Sequence, residues 1–181
     1  MTSVIKDFFG AGAGREAGGA EEKGKDKIEN KNYRVIRSEN ELEEMIGLIR
    51  KAGEVSLDTE TTALAPVAAE LVGMSFSIRE GEGWYLPLLS RGMFSEEYLD
   101  PSRSLSLLKP LLTDPKVKKI GQNIKYDLLV LMNYGIELAG VAFDTMVASY
   151  LLSPNDLRHN MDDLAEKYLN YKTITFKELV G

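Results

Sequence analysis

The stretch Val55-Ser56-Leu57-Asp58-Thr59-Glu60-Thr61 decides how the rest of the chain is read. Its residues alternate between those that suit a buried surface and those that suit water, the signature of a strand with one covered face. Successive strand side chains point to opposite faces. Val55, Leu57 and Thr59 therefore share one side, and Ser56, Asp58 and Glu60 share the other. Asp58 and Glu60 then stand roughly 6–7 Å apart along the strand. Carboxylates so placed repel each other unless a cation lies between them, and a hard divalent ion such as Mg²⁺ takes oxygen ligands. The same spacing fits a solvated acidic pair on an exposed strand face, so a second acidic element must decide between the two.

That element is Gly121-Gln122-Asn123-Ile124-Lys125-Tyr126-Asp127, where an expected strand at 117–121 meets an expected helix at 123–134. Ile124, Leu128 and Leu131 fall on one helical face, toward a core. Asn123 and Asp127 are four residues apart and share another face. Groups at the carboxyl ends of strands line the crevice of an open α/β sheet, which brings Asp127 toward Asp58 and Glu60. The helix start adds free N–H donors and partial positive charge, which suit a phosphate. Alternatively, Asp127 is a first-turn acid that only favours the helix dipole.

Around these two elements the chain divides simply. Residues 2–9 have the pattern of a short helix, with Ser3 as cap and Val4, Ile5, Phe8 and Phe9 on its apolar face. Residues 10–31 contain six glycines, mixed charge and Ile28 as the single large aliphatic residue. Such a stretch buries too little to offset its ordering entropy, so residues 1–32 are expected to be a flexible tail. The domain is expected over 33–181. Tyr33 to Arg37 reads as a strand. Ser38 and Glu41 form a capping box ahead of the helical stripe Leu42, Met45, Ile46 and Ile49, and Gly53 ends that helix. The acidic strand at 54–60 is followed by strands at 71–78 and 84–88, which suggests an antiparallel meander. A helix near 103–112 then leads to the strand at 117–121 and the helix at 123–134. Beyond them come a strand near 140–144, a helix at 144–152 and a helix capped by Asn160. A meander followed by alternating helices and strands predicts a mixed sheet flanked by helices.

Composition excludes several classes. The net charge of −6 argues against wrapping nucleic acid by bulk charge, although bound metal ions reverse the sign of an acidic site. With no cysteine, disulfides and thiolate zinc sites are excluded. No run of about 18 apolar residues offers a membrane span, and the N-terminus lacks a signal-peptide core, so a cytoplasmic protein is expected.

DTET at 58–61, QNIKYD at 122–127 and FDTM at 143–146 together resemble the proofreading 3′–5′ exonuclease domain of the bacterial DNA polymerase I family. NYGIEL at 133–138 and KTITF at 172–176 extend the likeness over about 33–181, and residues 4–10 resemble the end of the preceding connection. The resemblance implies a ribonuclease-H-like fold and Asp58, Glu60 and Asp127 as metal-binding, catalytic carboxylates. It places Thr59, Leu64, Asn123 and Tyr126 on the substrate side, with Leu64 against the terminal base. It also implies two divalent ions, Mg²⁺ or Mn²⁺, in the complete domain, the 3′ end of single-stranded DNA as substrate, and a polymerase domain as partner. For Leu64 and Tyr126, stacking on a base and simple packing are equal readings.

The family's third motif, a tyrosine four residues before an aspartate, is not found. The residues four after Tyr126, Tyr134, Tyr150, Tyr168 and Tyr171 are Val130, Leu138, Pro154, Lys172 and Thr175. The related histidine subclass is not completed either, since Leu164 lies five residues after His159. His159 reads as a surface or helix-entry residue, not a base. The expected fold is therefore C-terminally incomplete, with one metal at Asp58 and Glu60 and impaired hydrolysis. The competing reading is a non-catalytic module that binds DNA ends or scaffolds a polymerase. Lys116, Lys118, Lys119 and Lys125 form a basic group that reads as a solvated face or as backbone contacts.

Overall fold

The structure is a computed structural model of the 181-residue chain and describes residues 32–88 and 98–173. The short helix and linker expected before Asn32 lie outside the described residues. Six strands form one sheet: β1 (Asn32–Val35), β2 (Glu54–Thr61), β3 (Leu71–Ser77), β4 (Glu82–Pro87), β5 (Lys118–Gly121) and β6 (Val141–Asp144). Their order across the sheet is β1-β4-β3-β2-β5-β6. The helices are α1 (Glu39–Ala52), α2 (Pro101–Leu112), α3 (Ile124–Met132), α4 (Thr145–Leu152) and α5 (Met161–Leu169). β2, β3 and β4 make the expected antiparallel meander, and β5 and β6 continue from β2 in parallel.

Helix α1 shows how local sequence builds an element. Ser38 Oγ accepts from Glu41 N at 3.3 Å, and Glu41 Oε2 accepts from Ser38 N at 3.1 Å. Gly53 ends the helix at φ 74°, in the left-handed region where a side chain is strained. Leu42, Met45 and Ile49 are fully buried. Their stripe lies over Val55, Leu57, Met74, Phe76 and Leu86 of the sheet, joined by Leu108, Leu111 and Leu112 of α2. Each such side chain contributes roughly 1.5–3 kcal/mol of transfer free energy. The core thus sits on one face of the sheet, and β2 is its central strand.

Two expectations need correction. Lys119 does not join a solvated basic group. It lies on the core face of β5, fully buried, and its Nζ donates to the Asp114 carbonyl at 2.6 Å. Burial pushes its pKa below the usual lysine value, against the opposing pull of Asp114. The alternation of β5 decides this, because residue 119 pairs with Val55 and shares its face. His159 is at the entry to α5 as expected, but it is not on the surface. Its Nδ1 lies 2.7 Å from Ser149 Oγ and its Nε2 3.1 Å from the Asp156 carbonyl. A carbonyl only accepts, so Nε2 carries the proton there and the Ser149 hydroxyl donates to Nδ1. Among the described residues no helix is long and apolar enough to cross a membrane.

Candidate active site

β2 sorts its side chains as alternation demands. Val55, Leu57 and Thr59 are buried, and Asp58 and Glu60 are exposed on the opposite face. Asp58 stands beside Ser75 of β3 and Glu60 beside Gly73. A Cβ on Gly73 would lie 2.2 Å from Tyr85 Oη, so the missing side chain is what lets the Tyr85 hydroxyl lie there, next to Glu60. Burial first, then Glu60 and Tyr98, push the Tyr85 hydroxyl above its usual pKa. Sequence reading did not single out Tyr85. Its signal was a glycine inside a strand, which marks a close approach.

On this face a groove of about 610 Å³ runs across the sheet from Tyr33 and Val35, past Tyr85, to Ile120 and Phe143, with Asp58 in its wall. The floor is largely apolar, so a carboxylate there is poorly solvated. Asp58 is raised from 3.8 to about 7, by desolvation first and then by Asp127 and Glu60. No ion pair reaches Asp58, Glu60 or Asp127 among the described residues. Asp127 and Glu60 both raise Asp58, and the three acids lack a compensating protein cation among the described residues, a donor set that suits a hard metal ion.

Asp127 differs from expectation in how it faces. It is buried, and its Oδ1 accepts from Thr59 N at 2.8 Å and Thr59 Oγ1 at 2.6 Å. It meets β2 where β5 has already ended, since the β2–β5 pairing stops at Ser56 and Ile120. Burial raises its pKa, and the two Thr59 bonds oppose that rise. No three His, Cys, Asp or Glu groups are close enough to hold one ion among the described residues. Asp127 is electrostatically coupled to Asp58, but its carboxylate is turned onto Thr59. Thr59, placed by resemblance on the substrate side, has its hydroxyl on Asp127.

The start of α3 also differs. Asn123 precedes the helix at φ 57°, ψ 41°, and its side chain makes no capping bond. The i,i+4 argument that put Asn123 and Asp127 on one helical face therefore does not apply. The N–H groups expected to receive a phosphate are taken: Asn123 N donates to Asp144 Oδ1 at 3.1 Å and Ile124 N to Asp144 Oδ2 at 2.9 Å. A carboxylate of the chain occupies the anion position. The aspartate of the FDTM segment was quoted in the sequence, but no role was read for it.

Leu64 and Tyr126 separate. Leu64 is 97% exposed. Tyr126 is half-buried, with its hydroxyl 2.6 Å from Thr61 Oγ1 and donating to the Ala63 carbonyl at 2.5 Å. Asn133 Nδ2 donates to the Pro66 carbonyl at 2.8 Å, and Leu71 N donates to Tyr134 Oη at 2.8 Å. Three side chains of α3 and its end thus hold the loop that carries Leu64.

A six-stranded mixed sheet with helices, carrying carboxylates on its central strand, is a ribonuclease-H-like fold. Solved structures agree: Escherichia coli RNase D superposes with a TM-score of 0.59 at 21% identity, covering 78% of this chain and 34% of that one. NrnC of Brucella melitensis with bound Mg²⁺ gives 0.58 at 21% identity, covering 80% and 64%. The sequence model described as 3′-5′ exonuclease matches residues 33–181, and the chain belongs to that family. It is 43% identical over 152 residues to DNA polymerase I of Pseudomonas aeruginosa, which is 83% of this chain and 17% of the relative. The chain thus spans about a sixth of the length of the curated relatives it matches.

Proposed function

We propose that this chain is a metal-dependent 3′–5′ exonuclease domain that removes the terminal nucleotide from the 3′ end of single-stranded DNA. The reading is supported most by one observation: Asp58 and Glu60 stand side by side on the open face of β2, with no ion pair on either of them or on Asp127 among the described residues. Asp58 and Glu60 would hold Mg²⁺ or Mn²⁺, with Asp127 joining from α3. When bound, divalent ions lower the pKa of water and stabilise charge on the attacking and leaving oxygens.

The chain's own residues do the rest. Asp58 and Glu60, side by side on the open face of β2, would seat the ion that offsets the charge of the scissile phosphate. Thr59 steadies Asp127 through two hydrogen bonds. Leu64, presented by a loop tied to α3, packs against the terminal base, and Asn123 and Tyr126 border the same end. Three carboxylates bring a charge of −3 against +4 for two ions, so residues 1–181 are expected to hold one ion well and to turn over slowly. In a longer protein the partner is a polymerase domain that shares the frayed 3′ end in the cytoplasm, as the polymerase relatives suggest.

The orientation of Asp127 onto Thr59 favours one other reading, a module that binds DNA ends or scaffolds a polymerase without cutting. Hydrolysis of a 5′-labelled single strand in Mg²⁺ or Mn²⁺ separates the two, with a matching RNA strand as a parallel arm. Stepwise shortening from the 3′ end, lost in Asp58→Ala and Glu60→Ala, is the expected result. DNA binding with no divalent-dependent shortening would leave the non-catalytic reading.

A further inference from the structure

We propose that Asp144 is a positioning residue for Asp127, holding the start of α3 from the end of β6 and thereby setting where the Asp127 carboxylate stands. The inference rests on reading Asp58, Glu60 and Asp127 as a cation site.

Asp144 is the N-cap of its own helix: its Oδ1 accepts from Met146 N at 2.8 Å and Val147 N at 3.1 Å. The same carboxylate reaches back about twenty residues to Asn123 N and Ile124 N. The sheet makes this possible, because Gly121 of β5 and Asp144 of β6 are in register and bring the two strand ends together. One side chain therefore serves two helix starts, whereas an ordinary cap serves one.

The turn needs that support. A left-handed backbone is disfavoured for a residue with a side chain, less so for asparagine than for most. Asn123 adopts it and offers no side-chain cap to α3. The first N–H groups of a helix have no partner within it, and α3 has 9 residues, too few to hold a direction by itself. Asp127 lies three residues past Ile124, about 4.5 Å along the axis at the standard helical rise. A shift at the turn passes almost directly to its carboxylate. A second tie crosses the same gap: Thr145 Oγ1 donates to Gln122 Oε1, and Gln122 Nε2 donates to the His159 carbonyl at 2.8 Å.

Two substitutions separate the two jobs of Asp144. Asp144→Ser keeps a hydroxyl that caps α4 but is too short to reach Asn123 and Ile124. Asp144→Asn retains Oδ1 with its three bonds and gives up the bond from Ile124. Two readouts apply to the full chain: hydrogen exchange at the Thr59 amide, which reports its bond to Asp127 without any metal, and Mn²⁺ affinity by titration. The expected result for Asp144→Ser is a cooperative melt, at least tenfold faster Thr59 exchange, and Mn²⁺ affinity lowered on the order of 10–100-fold. Asp144→Asn should fall between it and wild type, and it carries the same test if the serine variant does not fold. Thr59 exchange and Mn²⁺ affinity at wild-type values in every folded variant would overturn the proposal. Asp58→Ala should abolish Mn²⁺ binding, so that the titration reads the carboxylates of β2. If the wild-type chain binds no Mn²⁺, the cation reading fails, and Thr59 exchange still decides whether Asp144 positions Asp127.

Discussion

Helices α1 and α3 begin in contrasting ways. At α1 the donors and acceptors come from adjacent residues: Ser38 and Glu41 bond each other, and Arg37 N joins at 2.7 Å from Glu41 Oε2. At α3 the residue in the cap position contributes no side-chain bond, and the acceptor is Asp144 on another strand. α1 presents only an apolar stripe to the core, so its start requires no more than helical order. α3 delivers a carboxylate to β2, so its start requires a fixed place relative to the sheet. Attaching that start to β6, which is itself paired with β5, makes the placement of Asp127 a property of the sheet.

The largest expected effect tests the contrast directly. Asp144→Ala should lower the unfolding free energy by about 2–3 kcal/mol in urea melts, because backbone donors of two helix starts lose a charged acceptor. Ser38→Ala should cost about 1 kcal/mol, the ordinary value of one cap. Equal losses would erase the distinction between a local cap and a shared one.

Asp58 probes what α3 delivers. Its folded pKa of about 7 lies above its ordinary 3.8, so the folded state holds that proton more tightly. The stability this gives is complete below about pH 4 and is lost as pH rises toward 7. Asp58→Asn should remove that slope and raise stability at pH 7 by about 1 kcal/mol, a figure kept small because the side chain is exposed. Thermal melts between pH 4 and 8 measure it, and an unchanged slope would place the coupled acid elsewhere. Added Mn²⁺ should stabilise the wild type and not the variant.

The smallest effect concerns the backbone of the α3 turn. Asn123→Gly should leave stability within about 0.5 kcal/mol, since glycine enters the left-handed region freely. Asn123→Ala should cost about 1 kcal/mol. If both variants cost the same, the asparagine side chain, and not its backbone, holds the turn.

Much of this architecture was legible before any coordinates. The capping box at Ser38, the stop at Gly53 and the faces of β2 follow from rules that act within a few residues, and all are observed. The meander followed from three strands on short turns. What escaped reading depended on partners distant in the chain. Lys119 looked like one of several surface lysines until pairing with β2 placed it on the core face. Tyr85 carried no motif until Gly73 left room for its hydroxyl beside Glu60. His159 was rightly placed at a helix entry, yet its burial against Ser149 and Tyr150 depends on how α4 and α5 pack.

Local pattern alone was enough to establish that Asp58 and Glu60 share one strand face and that a helix beginning near Asn123 carries Asp127, because periodicity and capping are short-range. The direction in which Asp127 faces, and the carboxylate that occupies the start of its helix, emerged only on folding. Both depend on strand order and register, which bring β6 beside β5 and leave the end of β2 open to α3. Such contacts join residues about 20 and 68 positions apart, a range over which chain periodicity carries no information.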